Sequence, residues 1–181
     1  MSNQVNIFDK TFEKYISSDV IAKRVKEIAA QMNKDYEGSA PVFLPILNGS
    51  FFFASDLLRG IDFPYEVSFV KIASYVGMNS DHSITTLIGA DESLAYRNIV
   101  ILEDIIDTGR TVFELCNQLK EIPVSDIKIA SLIFKPESLK YDVSPDYFGF
   151  VASNDFLIGY GLDFDKKGRH YKDIYKLKEG E

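Results

Sequence analysis

The stretch Val100 to Thr111, VILEDIIDTGRT, decides how this chain is read. The β-branched apolar run from Asn98 to Leu102 suits a strand buried on both faces, and helical spacing of apolar residues resumes from Arg110 to Lys120. A strand, a tight turn and a helix are therefore predicted, with Glu103 and Asp104 at the carboxyl end of the strand. Thr108, Gly109, Arg110 and Thr111 lead into the helix N-terminus, where free N–H groups and the positive end of the helix dipole suit a phosphate. Carboxylates repel phosphate, so Glu103 and Asp104 need another purpose: Mg²⁺ held through oxygens, or hydrogen bonds to sugar hydroxyls. A phosphorylated sugar satisfies both halves of the motif. The plainer alternative is that the acids cap the helix and solvate the loop. Three acids around one phosphate-shaped turn favour the ligand.

Upstream, Ser17-Ser18-Asp19 offer caps to VIAKRVKEIAAQM, whose Val20, Ile21, Val25, Ile28, Ala29 and Met32 recur at helical spacing. PVFLPIL reads as a strand ending at Asn48-Gly49-Ser50, and FFFASDLLRG as a helix stopped by Gly60. EVSFVKIA and ITTLIG alternate as strands on either side of the polar loop SYVGMNSDHS. Downstream, Ile127 to Phe134 is a further buried strand, and YFGFV, DFLIGYG and DIYKL are short apolar pieces with no long helix among them. Alternating strands and helices predict an α/β fold with a mainly parallel central sheet, whose ligands sit beyond the carboxyl ends of the strands. No repeat, low-complexity tract or long linker divides the 181 residues, so one domain spanning residues 1–181 is expected.

The net charge of −7 argues against a surface that tracks nucleic-acid phosphates. The single cysteine, Cys116, allows no internal disulfide, and its helical neighbours Val112, Phe113, Leu115 and Leu119 make it a buried thiol rather than a nucleophile. MSNQVNIFDKTF lacks the charged and apolar regions of a signal peptide, and no apolar run is long enough to span a bilayer. A cytoplasmic location, with no membrane partner, is expected. Asp107-Thr108-Gly109 matches the aspartic-protease triplet, but in one copy only. The P-loop motif is absent, and Gly159-Tyr160-Gly161 lacks the third glycine of a dinucleotide fingerprint. A receiver domain would account for an acid pair with Lys135-Pro136, yet the phosphoacceptor strand that should fall between them is missing.

The opening stretch resembles the signature of the type I phosphoribosyltransferases. Together with Ser131-Leu-Ile-Phe-Lys-Pro136 and Asp155-Phe-Leu-Ile-Gly-Tyr-Gly-Leu-Asp163 it is similar to the hypoxanthine branch of that family, from about Pro41 to Tyr171. The resemblance implies the family's fold, with a small hood made by the terminal segments and a flexible lid. It implies that Glu103 and Asp104 address the ribose hydroxyls directly or through Mg²⁺, and that Asp107 to Thr111 hold the 5′-phosphate of phosphoribosyl pyrophosphate (PRPP). Asp107 would accept the proton near N7 of the purine, help typically worth about 10²–10⁴-fold. Lys135 would donate to the 6-oxo group, Phe156 would stack on the base, and Leu157 would offer it backbone groups.

By the same resemblance Asp163 is a second metal ligand, Arg169 binds pyrophosphate, and Leu47-Asn48-Gly49 is a pyrophosphate loop whose peptide is often cis. Asn48 replaces a lysine common at that place, so a side-chain charge is missing there, whereas Arg110 replaces a lysine and keeps it. Ser74-Tyr75 matches the dipeptide that opens the lid, which would exclude water from an oxocarbenium-like ribosyl cation. The expected reaction converts PRPP and hypoxanthine, and also guanine, into IMP (or GMP) and pyrophosphate, in purine salvage. A homodimer or homotetramer is expected. The alternative is a regulator that keeps the fold and binds PRPP or a nucleotide as a signal; the acidic balance and the presence of Asp107, Lys135 and Asp163 favour the enzyme.

Overall fold

Near its start the chain forms an antiparallel hairpin of β1 (Gln4–Ile7) and β2 (Lys10–Ile16). Helix α1 (Ser18–Asp35) follows, with the Ser17 side chain accepting the Val20 N–H at 3.5 Å. Next come β3 (Val42–Leu47), α2 (Phe51–Leu58), β4 (Glu66–Val67), β5 (Val70–Ser74) and β6 (Ile84–Ile88). The second half runs β7 (Asn98–Ile106), α3 (Arg110–Lys120), β8 (Asp126–Phe134), β9 (Tyr147–Val151), β10 (Leu157–Ile158) and β11 (Ile174–Leu177). This computed structural model describes residues 3–74, 84–88, 92–178 and 180.

Among the described residues the main sheet has the order β6-β5-β3-β7-β8-β9, with β4 also on β3, and every pairing in it is parallel except β5 with β6. The mainly parallel α/β architecture predicted from the sequence is therefore found. Successive residues of a strand face opposite sides, and here they enter two different cores. Phe43, Val100 and Leu102 pack with Ile21, Ile28 and Met32 of α1 and Leu57 of α2. Leu44, Ile99 and Ile101 pack with Val112, Leu115 and Leu119 of α3. That two-sided burial is why the central strands are apolar throughout rather than alternating.

A second sheet, β1-β2-β11-β10, joins the two ends of the chain around Ile7, Phe12, Ile158 and Tyr175. The β1–β2 hairpin was not anticipated; its signal is the alternation that places Phe12 inward among Thr11, Glu13 and Lys14. The strand expected across EVSFVKIA is split into β4 and β5, and Pro45 accounts for the break. The Pro41 and Phe43 carbonyls accept the Glu66 and Ser68 N–H groups at 3.1 and 3.0 Å. The same side of β3 at Pro45 has no N–H to give, so pairing lapses before Val70. The strand expected from Asn98 to Leu102 continues to Ile106, so Glu103 and Asp104 are strand residues. Ser74 ends β5, and Tyr75 lies outside the described residues. No helix among the described residues is long and apolar enough to cross a membrane.

Candidate active site

Because β3, β7 and β8 are parallel neighbours, the segments that follow them share one rim of the sheet: Asn48-Gly49, Asp107 to Thr111, and Lys135. The two acids of β7 look out from opposite faces of that strand. Glu103 lines a hollow of about 230 Å³ bounded by the turn from Asp107 to Val112. Its Oε2 has no hydrogen-bond partner among the described residues. Burial, and then the neighbouring Asp104, push its pKa well above the usual carboxylate range. Asp104 lies against Gly49 so closely that a Cβ on that glycine would overlap its carboxylate, which is why the loop requires glycine there. Burial pushes Asp104 up to about 6, although the Ile105 N–H donates to it at 3.1 Å and the charge of Arg169 pulls the other way.

The turn after β7 has the form expected of a phosphate cradle. Gly109 is the N-cap of α3 at φ 81°, a left-handed conformation that glycine adopts at least cost. The Arg110 N–H reaches Thr108 Oγ1 at 3.4 Å, while the Arg110 guanidinium donates along the helix to Glu114 at 2.7 Å. Across the rim, the Leu47–Asn48 peptide is cis, as the pyrophosphate-loop resemblance implied, and the Asn48 residue is exposed. The buried Ser50 hydroxyl donates to the Ile46 carbonyl at 2.6 Å and closes the loop.

The residues assigned to the base also come together. Lys135 Nζ lies 3.2 Å from Asp107 Oδ2 and donates to the Asp155 carbonyl at 2.9 Å. The lysine side chain is 5% exposed and the aspartate 50%, so the lysine forms a wall and the carboxylate faces the opening. Phe156 is 46% exposed, its ring in a T-shaped contact with Phe164 at 5.6 Å and tilted against Phe12 at 6.4 Å. An aromatic ring held by two others and still exposed offers apolar area to a flat ligand. Leu157 faces Lys176, while the Leu177 N–H donates to the Phe156 carbonyl at 2.9 Å. In an antiparallel ladder bonded and non-bonded pairs alternate, so the Leu157 N–H and carbonyl point to the open edge of β10.

Asp163 is not part of a closed metal cluster. Its Oδ1 pairs with Arg169 Nη2 at 2.5 Å and its Oδ2 accepts the Lys166 N–H at 2.7 Å. Among the described residues no three His, Cys, Asp or Glu side chains gather as a metal site. Arg169 also donates to the Gly161 carbonyl at 2.5 Å. Two residues that matter here were not assigned a role in advance: Gly161 and Tyr160. A Cβ on Gly161 would overlap the Gly49 carbonyl, so the Gly-Tyr-Gly that fails as a nucleotide fingerprint is where the chain backs onto the Asn48-Gly49 loop. Cys116 is partly buried, and burial pushes its thiol up, consistent with an inert packing role.

Residues 14–165 match the model of the phosphoribosyl transferase domain. The chain is 38% identical over 164 residues to a hypoxanthine-guanine-xanthine phosphoribosyltransferase of Tritrichomonas foetus, covering 90% of each chain. It is 37% identical over 172 residues to a hypoxanthine-guanine phosphoribosyltransferase of Lactococcus lactis, covering 94% of this chain and 93% of the relative. The crystal structure of a hypoxanthine phosphoribosyltransferase from Staphylococcus aureus superposes with a TM-score of 0.86 at 32% identity, over 92% of this chain and 91% of that one.

Proposed function

The chain belongs to the phosphoribosyl transferase domain family, and from that premise we propose that it is a purine-salvage enzyme that transfers the 5-phosphoribosyl group of PRPP to N9 of hypoxanthine, and of guanine as a second acceptor. The products are IMP or GMP and pyrophosphate. The observation that carries the choice of base is the buried Lys135 ammonium held 3.2 Å from the exposed Asp107 carboxylate, next to the segment that carries the exposed Phe156. An ammonium there donates to a 6-oxo group and is left unpaired by a 6-amino group, which favours oxopurines over adenine.

In the reaction the bond from C1′ to the pyrophosphate oxygen breaks and the bond from C1′ to N9 forms. The proton lost by the base goes to Asp107, whose carboxylate faces the opening. The N-terminus of α3, with Thr108, Gly109, Arg110 and Thr111, holds the 5′-phosphate. Arg169 and the Asn48-Gly49 loop receive the pyrophosphate, and Leu157 offers its outward backbone groups to the edge of the base.

The residues present fit a divalent cation. The buried, partnerless Glu103 oxygen and the buried Asp104 are oxygen donors short of a positive partner, and Mg²⁺ is commonly held by one or two carboxylates together with substrate oxygens. Mg²⁺, once bound, neutralises charge on the donor. Asp163, paired with Arg169 in this structure, would be a further oxygen donor to such a cation. We place the protein in the cytoplasm as a homodimer or homotetramer, the small sheet of chain ends serving as the hood of a single domain. A regulatory role in place of catalysis is not favoured.

The test is incubation with PRPP, Mg²⁺ and hypoxanthine, followed by chromatography for IMP. IMP and pyrophosphate in equal amounts are expected; no nucleotide from hypoxanthine, guanine or xanthine would overturn the reading. Competition among these three bases ranks them, xanthine being included because the Tritrichomonas relative is named for it.

A further inference from the structure

Gly159, Tyr160 and Gly161 are three consecutive residues with positive φ, at 94°, 49° and 103°. The left-handed region is sterically costly for a residue with a Cβ, so a bulky tyrosine stays there only if its surroundings hold it. The Tyr160 hydroxyl donates to Asp56 Oδ2 at 2.6 Å, its N–H donates to the Tyr171 carbonyl at 2.7 Å, and its ring lies 6.2 Å from that of Phe52. Asp56 and Phe52 belong to α2, the helix that begins directly after Asn48-Gly49-Ser50. On its other side Tyr160 is joined to Gly161, whose Cα backs onto the Gly49 carbonyl and whose own carbonyl accepts from Arg169.

The pyrophosphate loop and Arg169 come from opposite ends of the sequence. Among the described residues, the Tyr160–Asp56 hydrogen bond is where the helix behind the loop is tied to the segment that carries Asp163 and Arg169. We propose that Tyr160 and Asp56 are positioning residues that set the spacing between the Asn48-Gly49 loop and Arg169, and thereby the affinity for the pyrophosphate portion of the donor. Neither residue is placed to touch the reacting atoms. Because Asn48 supplies no charge, backbone groups and Arg169 have to do the holding, and their spacing matters correspondingly more. Burial and the Asp56 carboxylate keep the Tyr160 phenol protonated, so it remains a donor throughout the working range.

The inference rests on the phosphoribosyl transfer proposed above, and the experiment separates the two. Tyr160→Phe keeps the ring and removes the donor. The expected result is a rise of roughly tenfold in the KM for PRPP and in the inhibition constant of pyrophosphate, the scale of one hydrogen bond to a charged acceptor. The KM for hypoxanthine and inhibition by ribose 5-phosphate should change less than twofold. Asp56→Asn, which can still accept, should stay near wild type. Asp56→Ala should match Tyr160→Phe, and the double variant should be no worse than either single one. A lowered Tm with unchanged PRPP and pyrophosphate constants would overturn the tether while leaving the enzyme reading intact. A wild-type protein that makes no nucleotide would overturn both.

Discussion

Buried acids occur in two regions of this molecule, and the fold treats them in opposite ways. Asp173, 2% exposed, joins the second sheet to the start of α1: it accepts the Ser18 N–H at 2.7 Å and lies 2.8 Å from Lys14 Nζ. Burial pushes its carboxyl up, but the Lys14 and Ser18 hydrogen bonds outweigh that and hold it at about 2. Glu103 and Asp104 are likewise buried on β7, yet Glu103 keeps an oxygen with no partner and Asp104 is pushed up to about 6. Loss of water alone does not decide what a carboxyl does; the partners supplied in its place decide it. Where the fold supplies them in full the carboxyl is held low, and where it supplies fewer the carboxyl is pushed up, as expected of an acid kept for a ligand.

Asp107 lies outside both patterns, half-exposed and paired with Lys135, and it carries the largest expected effect. Asp107→Asn should lower kcat by about 10²–10⁴-fold with little change in the KM for PRPP; stopped assays of nucleotide formation measure it, and an unchanged kcat would remove Asp107 from proton transfer. The next effect concerns stability. Asp173→Ala strands Lys14 and the N-terminus of α1 and should lower Tm by roughly 4–10 °C. Calorimetry checks the drop, and the KM values of the folded variant should stay within twofold. A variant with full stability would make Asp173 no different in kind from the site acids.

The sign of the pH dependence differs between the two regions as well. A carboxyl whose folded pKa lies below its unfolded value stabilises the fold above the unfolded value and loses that contribution as pH falls. For Asp173 the loss runs from its ordinary 3.8 down through about 2. A carboxyl whose folded pKa is raised does the reverse. Asp104 favours the fold fully below its ordinary 3.8, and that contribution is lost as pH rises through about 6. Near neutral pH the site acids therefore weigh against the fold, and Asp173 supports it.

What the sequence made legible follows the same division. Repeating apolar spacing marks elements packed on a long partner, so α1, α3, β7 and β8 were readable, and the turn at Thr108 to Thr111 followed from the strand and helix around it. The β1–β2 hairpin was not, because a sheet with one exposed face buries few residues per strand, here Ile7 and Phe12. The break at Pro45 depends on which side of β3 the missing N–H would face, and that is fixed only by pairing. Glu103 and Asp104 were recognisable as a pair, but that they look to opposite faces required the strand to run on to Ile106. Tyr160 and Asp56 are 104 positions apart and share no local pattern. The pairing of Asp163 with Arg169 was not readable either, since it depends on how the turn between them folds back.

The most direct test of the contrast is the thermal unfolding of Asp104→Asn beside the wild type, in metal-free buffer from pH 5 to 7.5, then with PRPP and Mg²⁺ added. Removing the charge should make the ligand-free variant at least as stable as wild type at pH 7.5, by roughly 2–6 °C, with the gap closing toward pH 5. PRPP and Mg²⁺ should raise the wild-type Tm and leave that of the variant nearly unmoved. A ligand-free variant less stable than wild type at pH 7.5, yet stabilised equally by the donor, would show that Asp104 is a structural acid like Asp173.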